Sequence, residues 1–325
     1  MIERLARLYS DISVIAADSQ LGPPIPGVVV FSSRWQNGRY IRNVVNFLRC
    51  ALPLLKSRKK TVLFSHMTEV QSFILAPLCR LLGIKHYLWY AHKSRSPYLY
   101  LSFPFLTGII TSTPGSCPVN GSKVHAIGQM IDTTFLPNNP KMPSQDRKRW
   151  LHVGRLDPSK RIEEIIHSME YCRGKGFELH LDIFGAPSSS KYHEYAIGLR
   201  SRFSSSLYSD WVKFKGPLAR SEYKTLISEY DGFIHAFQGS LDKTLVEATL
   251  SKRIVVSTNQ EYLRSFALEA CAASTKTSLA QMLLDVLETK YSKIETRVNR
   301  NYLIAKNAHT FEVWIHKLNL ILESK

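Results

Sequence analysis

Short runs of apolar, often β-branched residues alternate along this chain with longer segments in which apolar residues recur every three or four positions. The short runs are typical of buried strands, and the longer segments of helices that pack against a sheet. Strands alternating with helices predict parallel sheets covered on both faces. In the first half the pattern predicts strands at 12–16, 28–31, 61–65, 86–90, 108–112 and 123–127, and helices at 40–55 and 70–82.

The alternation stops at 136–144, where three prolines in nine residues can continue neither a helix nor a central strand. It then restarts, with predicted strands at 150–153, 179–184, 212–214, 232–236 and 254–257 and predicted helices at 162–174, 221–229, 243–250, 278–287 and 311–322. The predicted organisation is an N-terminal domain at 1–137, a linker at 138–148, a C-terminal domain at 149–305, and a final helical segment at 306–325 that packs back on the first domain.

The expected fold class is therefore α/β, with two Rossmann-like domains facing across a cleft. In sheets of this kind ligands bind beyond the carboxyl ends of the strands. The residues that follow each predicted strand are accordingly the first place to look for a functional site.

Composition indicates a soluble globular protein, because 44% of the 325 residues are hydrophobic and 21% are charged. The five cysteines stand far apart and form no CxxC pair, which argues against a disulfide framework and a zinc knuckle. The start lacks the apolar core of a signal peptide, and no apolar stretch reaches the roughly 20 residues that span a bilayer. We therefore expect a cytoplasmic protein.

The charge balance is strongly basic, with 43 Lys and Arg against 26 Asp and Glu and a net charge of +17. Residues 1–140 hold 15 basic and 5 acidic side chains, so the first half is the more cationic per residue. A basic surface attracts nucleic acid, anionic lipid headgroups or phosphorylated ligands, and charge alone does not choose among them. A nucleic-acid partner is not expected, because no recognition motif accompanies the charge.

The first segment whose residues suit a functional site follows the strand predicted at 150–153. Gly154 permits a tight turn with close backbone approach, Arg155 leaves the strand end, and Lys160 lies at the start of the next helix. Two fixed cations beside helix amides favour a diphosphate, because Arg holds phosphate oxygens in a fork and Lys adds a point charge. On spacing alone, a surface turn with solvated charges explains the same residues equally well.

The second segment follows the strand predicted at 232–236. A turn at Gly239 and Ser240 leads to Asp242, an N-cap candidate for the helix that carries Glu247. The turn amides suit an anionic or hydroxylated ligand, and a carboxylate at Glu247 suits two ribose hydroxyls. The alternative is a solvated helix residue, which is the usual case for a lone Glu.

Together these segments resemble the donor domain of family 4 glycosyltransferases, which have the GT-B fold. The family pattern runs from G-R-L and a following K, through two strands that each end in Gly, to a helix carrying E-A. Its order and spacing match over about 110 residues here, at Gly154, Arg155, Leu156, Lys160, Leu181, Ile183, Gly185, Val212, Phe214, Gly216, Glu247 and Ala248.

The resemblance extends into the first half. His66 resembles a strand-end His of bacterial members, and His92 resembles the His that lies near the donor sugar. The segment from Lys123 to Thr133 resembles the one that precedes the linker. Apart from the family resemblance, each His is better explained as a hydrogen-bonded structural residue. The resemblance assigns His92 to the sugar and leaves the role of His66 open.

Three departures from the family pattern stand out. Many members carry E-x7-E in the donor loop, but Gly239 occupies the position of the first Glu. The Gly-Ser-Leu-Asp-Lys version resembles a bacterial variant in which loop amides take over sugar contacts. Gln129 and Met130 replace the usual His-Gly pair, and the chain opens on a segment that resembles the helix after the first strand and glycine-rich loop, so we expect both of these to be missing.

The resemblance implies a retaining, metal-independent hexosyl transfer from a nucleotide diphosphate sugar, with UDP or GDP as the expected nucleotide and no other cofactor. It assigns the catalytic roles to three side chains: Arg155 and Lys160 stabilise the leaving phosphate, and His92 positions the sugar. Lys243 would add positive charge near the diphosphate. The implied donor-binding residues are Gly154, Gly185, Phe214, Gly216, Gly239, Ser240, Leu241, Lys243 and Glu247.

The acceptor implied is a glycan or a lipid-linked glycan of cell-surface polysaccharide or glycoconjugate synthesis. The basic first domain is expected to meet it and to dock through 48–60 and 70–80 on the anionic inner face of the plasma membrane, as a peripheral protein. A soluble acceptor stays open. The rival interpretations are a catalytically impaired nucleotide-sugar-binding protein and a GT-B epimerase or phosphorylase. A glycoside hydrolase fits poorly because no paired carboxylates stand out.

Overall fold

The computed structural model describes residues 2–18, 24–56, 61–266 and 278–323. The chain forms two compact units, of which the first comprises Met1–Trp89 and Arg95–Ile109 and the second Tyr90–Ser94 and Ile110–Lys325. The chain therefore leaves the first unit at residue 90, returns to it at residue 95, and leaves it again at residue 110. The domain bounds predicted around the proline-rich linker, and the predicted packing of the last helix on the first domain, stay predictions.

Two sheets occupy the first half of the chain, and the pairs β1–β2 and β3–β4 are parallel. Strand β1 pairs with β2, and a separate four-stranded sheet has the order β3-β4-β5-β6. The bounds are β1 Ile12–Ala16, β2 Val28–Ser32, β3 Val62–His66, β4 Lys85–Trp89, β5 Gly108–Thr111 and β6 Val124–Ala126, with helices α1 Ile2–Ala6, α2 Tyr40–Lys56, α3 Glu69–Leu81 and α4 Pro97–Ser102.

The core of the first unit is built from α2 and α3. Phe47, Ala51 and Leu55 recur every four residues on one face of α2, and all three are buried with Leu75 and Cys79 of α3. This spacing buries one face of α2 and leaves the opposite face to solvent.

The second unit contains one five-stranded sheet in which every pair is parallel, with the order β11-β10-β7-β8-β9. Its strands are β7 Arg149–Val153, β8 His180–Phe184, β9 Val212–Gly216, β10 Gly232–His235 and β11 Ile254–Ser257. Its helices are α5 Ile162–Gly174, α6 His193–Arg202, α7 Ser206–Ser209, α8 Arg220–Leu226, α9 Lys243–Leu250, α10 Gln260–Phe266, α11 Leu279–Glu288, α12 Tyr291–His309 and α13 Phe311–Glu323.

Helices cover both faces of this sheet, because successive strand residues point to opposite sides. Trp150 packs into one core with α5, α6 and α11, whereas the next residue, Leu151, packs into the other core with α8, α9 and α10. Phe233 and Ile234 divide in the same way between the two cores. The sheet is thus held from both sides, and its carboxyl edge is the part left for chemistry.

The proline-rich segment at 138–148 contains no helix or strand, as predicted, and it is fixed to the second unit. The carboxylate of Asp231 accepts hydrogen bonds from the backbone N–H of Ser144 at 2.8 Å and of Arg149 at 2.9 Å. Arg253 donates to the carbonyl of Lys141, and Tyr291 donates to the carbonyl of Pro143 at 2.6 Å.

Every predicted strand and helix is present, with ends within one or two residues of the prediction, except that α8 ends at Leu226 and continues as a short 3₁₀ helix over Ile227–Glu229. A helix is also present at the start, as the resemblance led us to expect. The sequence patterns missed α4, α6, α7, α10 and α12.

Four of the cysteines, Cys50, Cys79, Cys117 and Cys172, carry free thiols, and Cys271 lies outside the described residues. Burial raises the pKa of Cys79 and of Cys172 to about 11. Within the described ranges, no helix is both long enough and apolar enough to cross a membrane.

Candidate functional site

The strand order of the second unit contains one point at which the chain connections diverge. From β7 the chain proceeds outward through β8 and β9 on one side, while β10 and β11 lie on the other side. Loops after the two strands at such a point leave in opposite directions, and a crevice opens beyond their carboxyl ends. The two segments that the sequence analysis selected follow β7 and β10, which pair with each other at this point.

A buried ion pair joins these two segments. Lys160, from the segment after β7, donates to Oδ2 of Asp242, from the segment after β10, and the Lys160 side chain is only 7% exposed. The ammonium also lies 4.2 Å from the centre of the Phe237 ring. His235, at the end of β10, places Nε2 3.3 Å from the same carboxylate oxygen. The position of the Lys160 charge is therefore fixed.

Burial and pairing set the charges in this group. Burial lowers the pKa of His235 and outweighs the adjacent carboxylate, so the ring is neutral. Burial acts to raise the pKa of Asp242, but the hydrogen bond from His235 and the charge of Lys160 outweigh it and hold that pKa well below its ordinary value. Asp242 is thus ionised and balances much of the Lys160 charge.

Arg155 is the more accessible of the two predicted phosphate-binding cations. Its side chain is 58% exposed, and Nε lies 3.5 Å from Oδ2 of Asp157. Asp157 is itself buried and accepts a hydrogen bond from the backbone N–H of Ser188 at 3.1 Å. A buried carboxylate therefore orients an exposed guanidinium, and no ion pair with another described residue occupies its terminal nitrogens.

Three of the predicted glycines lie side by side at the carboxyl edge of the sheet. The N–H of Gly154 donates to Phe184 at 3.0 Å, and the N–H of Gly185 donates to Gly216 at 2.7 Å. Gly185 has φ +155°, and a Cβ there would stand 1.7 Å from the carbonyl oxygen of Gly154. Gly216 has φ +81° and open space around it. Phe214, two residues earlier on β9, is half-buried.

Asn259 supports the loop after β10. Its side-chain amide donates to the carbonyls of Phe237 at 2.9 Å, Gly239 at 3.3 Å and Ser240 at 3.1 Å. Within the described chain, the N–H groups of Gly239 and Ser240 donate to no protein acceptor, so they are available to a ligand oxygen. Leu241 differs, since its N–H donates to Ser116 at 3.1 Å and its carbonyl accepts from Gln129.

Glu247 lies on α9 with a side chain that is 5% exposed. Its Oε1 accepts a hydrogen bond from Arg220 at 2.7 Å, and the Arg220 guanidinium lies 5.3 Å from the centre of the Phe135 ring. Burial raises the pKa of Glu247, and the charges of Arg220 and Lys243 oppose that rise. Lys243, one turn earlier on α9, is exposed.

The two predicted histidines lie in different units. His92 belongs to the second unit, is exposed, and accepts a hydrogen bond at Nδ1 from the N–H of Ser94 at 2.9 Å. Because Nδ1 is the acceptor, the neutral ring carries its proton on Nε2, where it can donate to a hydroxyl. His66 ends β3 in the first unit and stacks on Trp89 with ring centres 6.4 Å apart.

The second unit thus brings Arg155, Lys160 and Glu247 onto the segments that follow β7 and β10, with Lys160 tied directly to the second segment, while His66 lies in the other unit. Sequence reasoning missed Arg220 and Asn259. Asn259 follows β11, so a search after every predicted strand could have found it. Arg220 follows β9 and could have been found by the same search, but its partner Glu247, 27 residues further on, could not be read from the sequence.

The fold matches solved structures, although no protein-family model and no curated protein sequence matches the chain. HepE from Anabaena, solved in complex with UDP, has a TM-score of 0.70 and 16% identity over 93% of this chain and 87% of that chain. Sucrose-phosphate synthase from Thermosynechococcus elongatus has a TM-score of 0.72 and 12% identity over 98% of this chain and 90% of that one.

TarM from S. aureus, solved with UDP among its ligands, has a TM-score of 0.62 and 14% identity over 87% of this chain and 59% of the TarM chain. These neighbours are GT-B glycosyltransferases. At identities of 12 to 16% the likeness establishes the fold, which is α/β of the GT-B type with Rossmann-like domains.

Proposed function

We propose that this protein is a glycosyltransferase that moves a sugar from a nucleotide diphosphate sugar to an acceptor, at the carboxyl edge of β7 and β10. The observation that carries the proposal is the convergence of Arg155, the fixed Lys160 and the buried Glu247 on the segments that follow the two strands at the divergence point of the sheet. Nucleotides bind α/β sheets at such points. The fold neighbours add support, because HepE has been solved with UDP-glucose and TarM with UDP.

The diphosphate contacts Arg155 and lies near the Lys160 ammonium. Arg155 is suited to bind phosphate oxygens because its guanidinium is exposed and already oriented by Asp157. Lys160 supplies a charge that needs no reorganisation during the reaction, since Asp242 fixes its position. Both cations act mainly on the negative charge that grows on the leaving phosphate, and they therefore favour the transition state over the bound substrate.

The nucleoside and the sugar occupy opposite sides of the diphosphate. The carboxylate of Glu247 accepts hydrogen bonds from the two ribose hydroxyls. Backbone groups after Gly185 and around Phe214 and Gly216 contact the base. The free amides of Gly239 and Ser240 donate to the sugar. His92 donates to a sugar hydroxyl from Nε2 and so positions the ring for attack.

The transfer retains the anomeric configuration and proceeds without a metal ion. The leaving phosphate oxygen takes the proton of the acceptor hydroxyl as the new bond forms, so no separate base is required. Activity that persists in EDTA, with a product of the same anomeric configuration as the donor by NMR, is the expected result. An inverted product, or activity restored only by a divalent cation, contradicts this mechanism.

Thermal unfolding in the presence of UDP, GDP, ADP and their common sugar derivatives tests the donor site and identifies the base. A ligand at 100 times its Kd stabilises the folded state by about 2.7 kcal/mol. We expect one base to raise the Tm selectively, with the rise lost in Arg155→Ala and in Glu247→Ala. The absence of a shift with every nucleotide contradicts the proposal.

The acceptor is proposed to be a glycan or a lipid-linked glycan that the protein reaches from the cytoplasmic face of the membrane. Helix α2 supports this proposal, since it has no acidic residue and its solvent face combines an apolar stripe with a basic one. The exposed residues of that face are Tyr40, Ile41, Arg42, Val45, Arg49, Leu52, Pro53 and Lys56. Such a face suits an anionic membrane surface.

Co-sedimentation with vesicles tests the membrane proposal. We expect binding to phosphatidylglycerol vesicles that weakens with salt and falls in an Ile41→Ser/Leu52→Ser variant. The control is Leu303→Ser, which removes a leucine of α12 in the second unit that is 54% exposed, against 42% for Leu52. Binding that is absent, insensitive to salt or equally reduced in the control contradicts the proposal.

A further inference from the structure

A buried carboxylate that the predicted site does not use lies at the start of α10. Glu261 is 1% exposed, and its two oxygens are fully engaged. Oε2 accepts a hydrogen bond from the Thr113 hydroxyl at 2.7 Å, and Oε1 lies 2.7 Å from Arg264 and 3.4 Å from Lys93. A carboxylate buried to this degree is costly unless it is paired, so the partners define its role.

The loop at 112–116 is shaped around this carboxylate. A Cβ on Gly115 would stand 2.1 Å from Oε1 of Glu261, so a larger residue would have to displace the carboxylate. The close approach brings the hydroxyls of Thr113 and Ser116 within 2.6 Å of each other.

A directed chain of hydrogen bonds runs from Glu261 to the loop after β10. Thr113 donates to Glu261, so its oxygen must accept from Ser116, and Ser116 in turn accepts from the N–H of Leu241 at 3.1 Å. Each hydroxyl donates once and accepts once. Glu261 thereby holds the segment that contains Gly239 and Ser240, the proposed sugar-binding amides.

On its other side Glu261 holds the segment 90–94. Lys93 is the neighbour of His92 in sequence, and it pairs with Glu261 through Oε1. This segment belongs to the second unit, although the chain on both sides of it belongs to the first. The Lys93–Glu261 ion pair is one of the contacts that tie it there.

We propose that Glu261 is a positioning residue that fixes the His92 segment and the Gly239–Ser240 loop relative to each other, and that its effect falls on the sugar of the donor and spares the nucleotide. The inference rests on the proposed function, since it presumes a nucleotide-sugar donor. Glu261 itself is too buried to touch a ligand, so its influence must pass through Lys93 and through Thr113 and Ser116.

The test compares the affinity for a nucleotide with the affinity for its sugar derivative by isothermal titration. The probes are UDP with UDP-glucose and UDP-N-acetylglucosamine, and GDP with GDP-mannose, and the pair that the wild type binds most tightly is used throughout. Glu261→Gln keeps the size of the side chain and an acceptor for Thr113 but removes the charge that holds Lys93. Lys93→Met removes the ion pair with Glu261 and leaves the hydrogen bond from Thr113 in place.

Arg264→Met is the matched control, because Arg264 contacts the same carboxylate oxygen but lies on α10 itself and is 65% exposed. We expect Glu261→Gln and Lys93→Met to leave the Kd of the nucleotide unchanged and to reduce the gain in affinity from the sugar roughly tenfold. Arg264→Met should change neither quantity.

Four results would overturn the proposal. A wild type that binds none of these nucleotides and nucleotide sugars refutes the proposed function and this inference with it. A wild type that binds a nucleotide and its sugar derivative, with Glu261→Gln retaining the full sugar contribution, refutes only the positioning role. Equal losses for nucleotide and nucleotide sugar, or the same loss in Arg264→Met, assign Glu261 a purely structural role.

Discussion

Lys160 shows how the chemistry of a residue depends on a partner far away in sequence. Its charge and its place after a strand were visible in the sequence, but its partner Asp242 lies 82 residues further on. The sequence indicated Asp242 only as an N-cap, and this role is confirmed by the hydrogen bond that Oδ1 accepts from Thr244 at 3.3 Å. The ion pair itself was not predictable, because the order of the strands in the sheet brings the two residues together.

Asp242→Asn separates the two roles of this residue, because Asn remains a good N-cap but carries no charge. We expect the variant to lose about 3–5 kcal/mol of unfolding free energy, since Lys160 keeps a buried charge without its partner. Urea denaturation measures the loss. The double variant Lys160→Met/Asp242→Asn should recover most of it, and a single variant as stable as the wild type contradicts the account.

Buried histidines make the stability of the protein dependent on pH. Burial lowers the pKa of His86 and of His309 to about 4 and that of His152 to about 3, against about 6.5 in the unfolded chain. Between pH 4 and pH 6.5 these histidines bind more protons in the unfolded state than in the folded state. Their contribution to the free energy of unfolding is therefore complete above pH 6.5 and is lost as pH falls towards 4.

His309→Gln tests this pH dependence, because it removes one titrating group and keeps an acceptor for the N–H of Gln129. In denaturant titrations between pH 5 and 6.5, the unfolding free energy of the wild type should fall more steeply with decreasing pH than that of the variant, by up to about 1.4 kcal/mol per pH unit. Equal slopes would show that His309 binds protons equally in the folded and unfolded states and would contradict the lowered pKa.

At the level of elements, strands were predictable and polar helices were not. The strands of both halves are short, apolar and bounded by turn residues, and all of them were found. Helix α12 is the longest element of the second unit, yet it buries only Ile294, Val298, Ala305 and His309 among its 19 residues. These buried positions lie on one helical face, but polar residues fill most of the remaining positions and hid this stripe from the sequence analysis.

Gly185 is the position at which the turn after β8 depends most strictly on glycine. Gly185→Ala should cost about 1–3 kcal/mol, because the new methyl would collide with the carbonyl of Gly154 and neither backbone segment can yield cheaply. Gly198→Ala is the matched control, since it lies within α6 in open space and should stabilise the protein by about 0.5–1 kcal/mol. Thermal unfolding of both variants decides the matter, and similar effects from the two would refute this explanation.

At the scale of the whole molecule, the alternation of strands and helices predicted the α/β class and the five-stranded sheet of the second unit, with α5, α8, α9 and α11 among its covering helices but not α6 and α10. It did not predict that the segment 90–94 would join the second unit while its flanking residues belong to the first. The local sequence pattern carries no information on which unit this segment joins, because long-range contacts such as the ion pair between Lys93 and Glu261 decide it.

The carboxyl edge of β7 and β10 is proposed to bind a nucleoside diphosphate through Arg155. Isothermal titration of the preferred nucleotide into wild type, Arg155→Ala and Arg161→Asn tests it directly. Arg161 carries the same charge six residues on, pairs with Glu164 at 2.7 Å and has φ +52°, which Asn tolerates.

We expect one binding site, an affinity reduced at least about tenfold in Arg155→Ala, and no change in Arg161→Asn. Equal affinities in wild type and Arg155→Ala, or no measurable binding of any nucleotide to the wild type, would rule out this site.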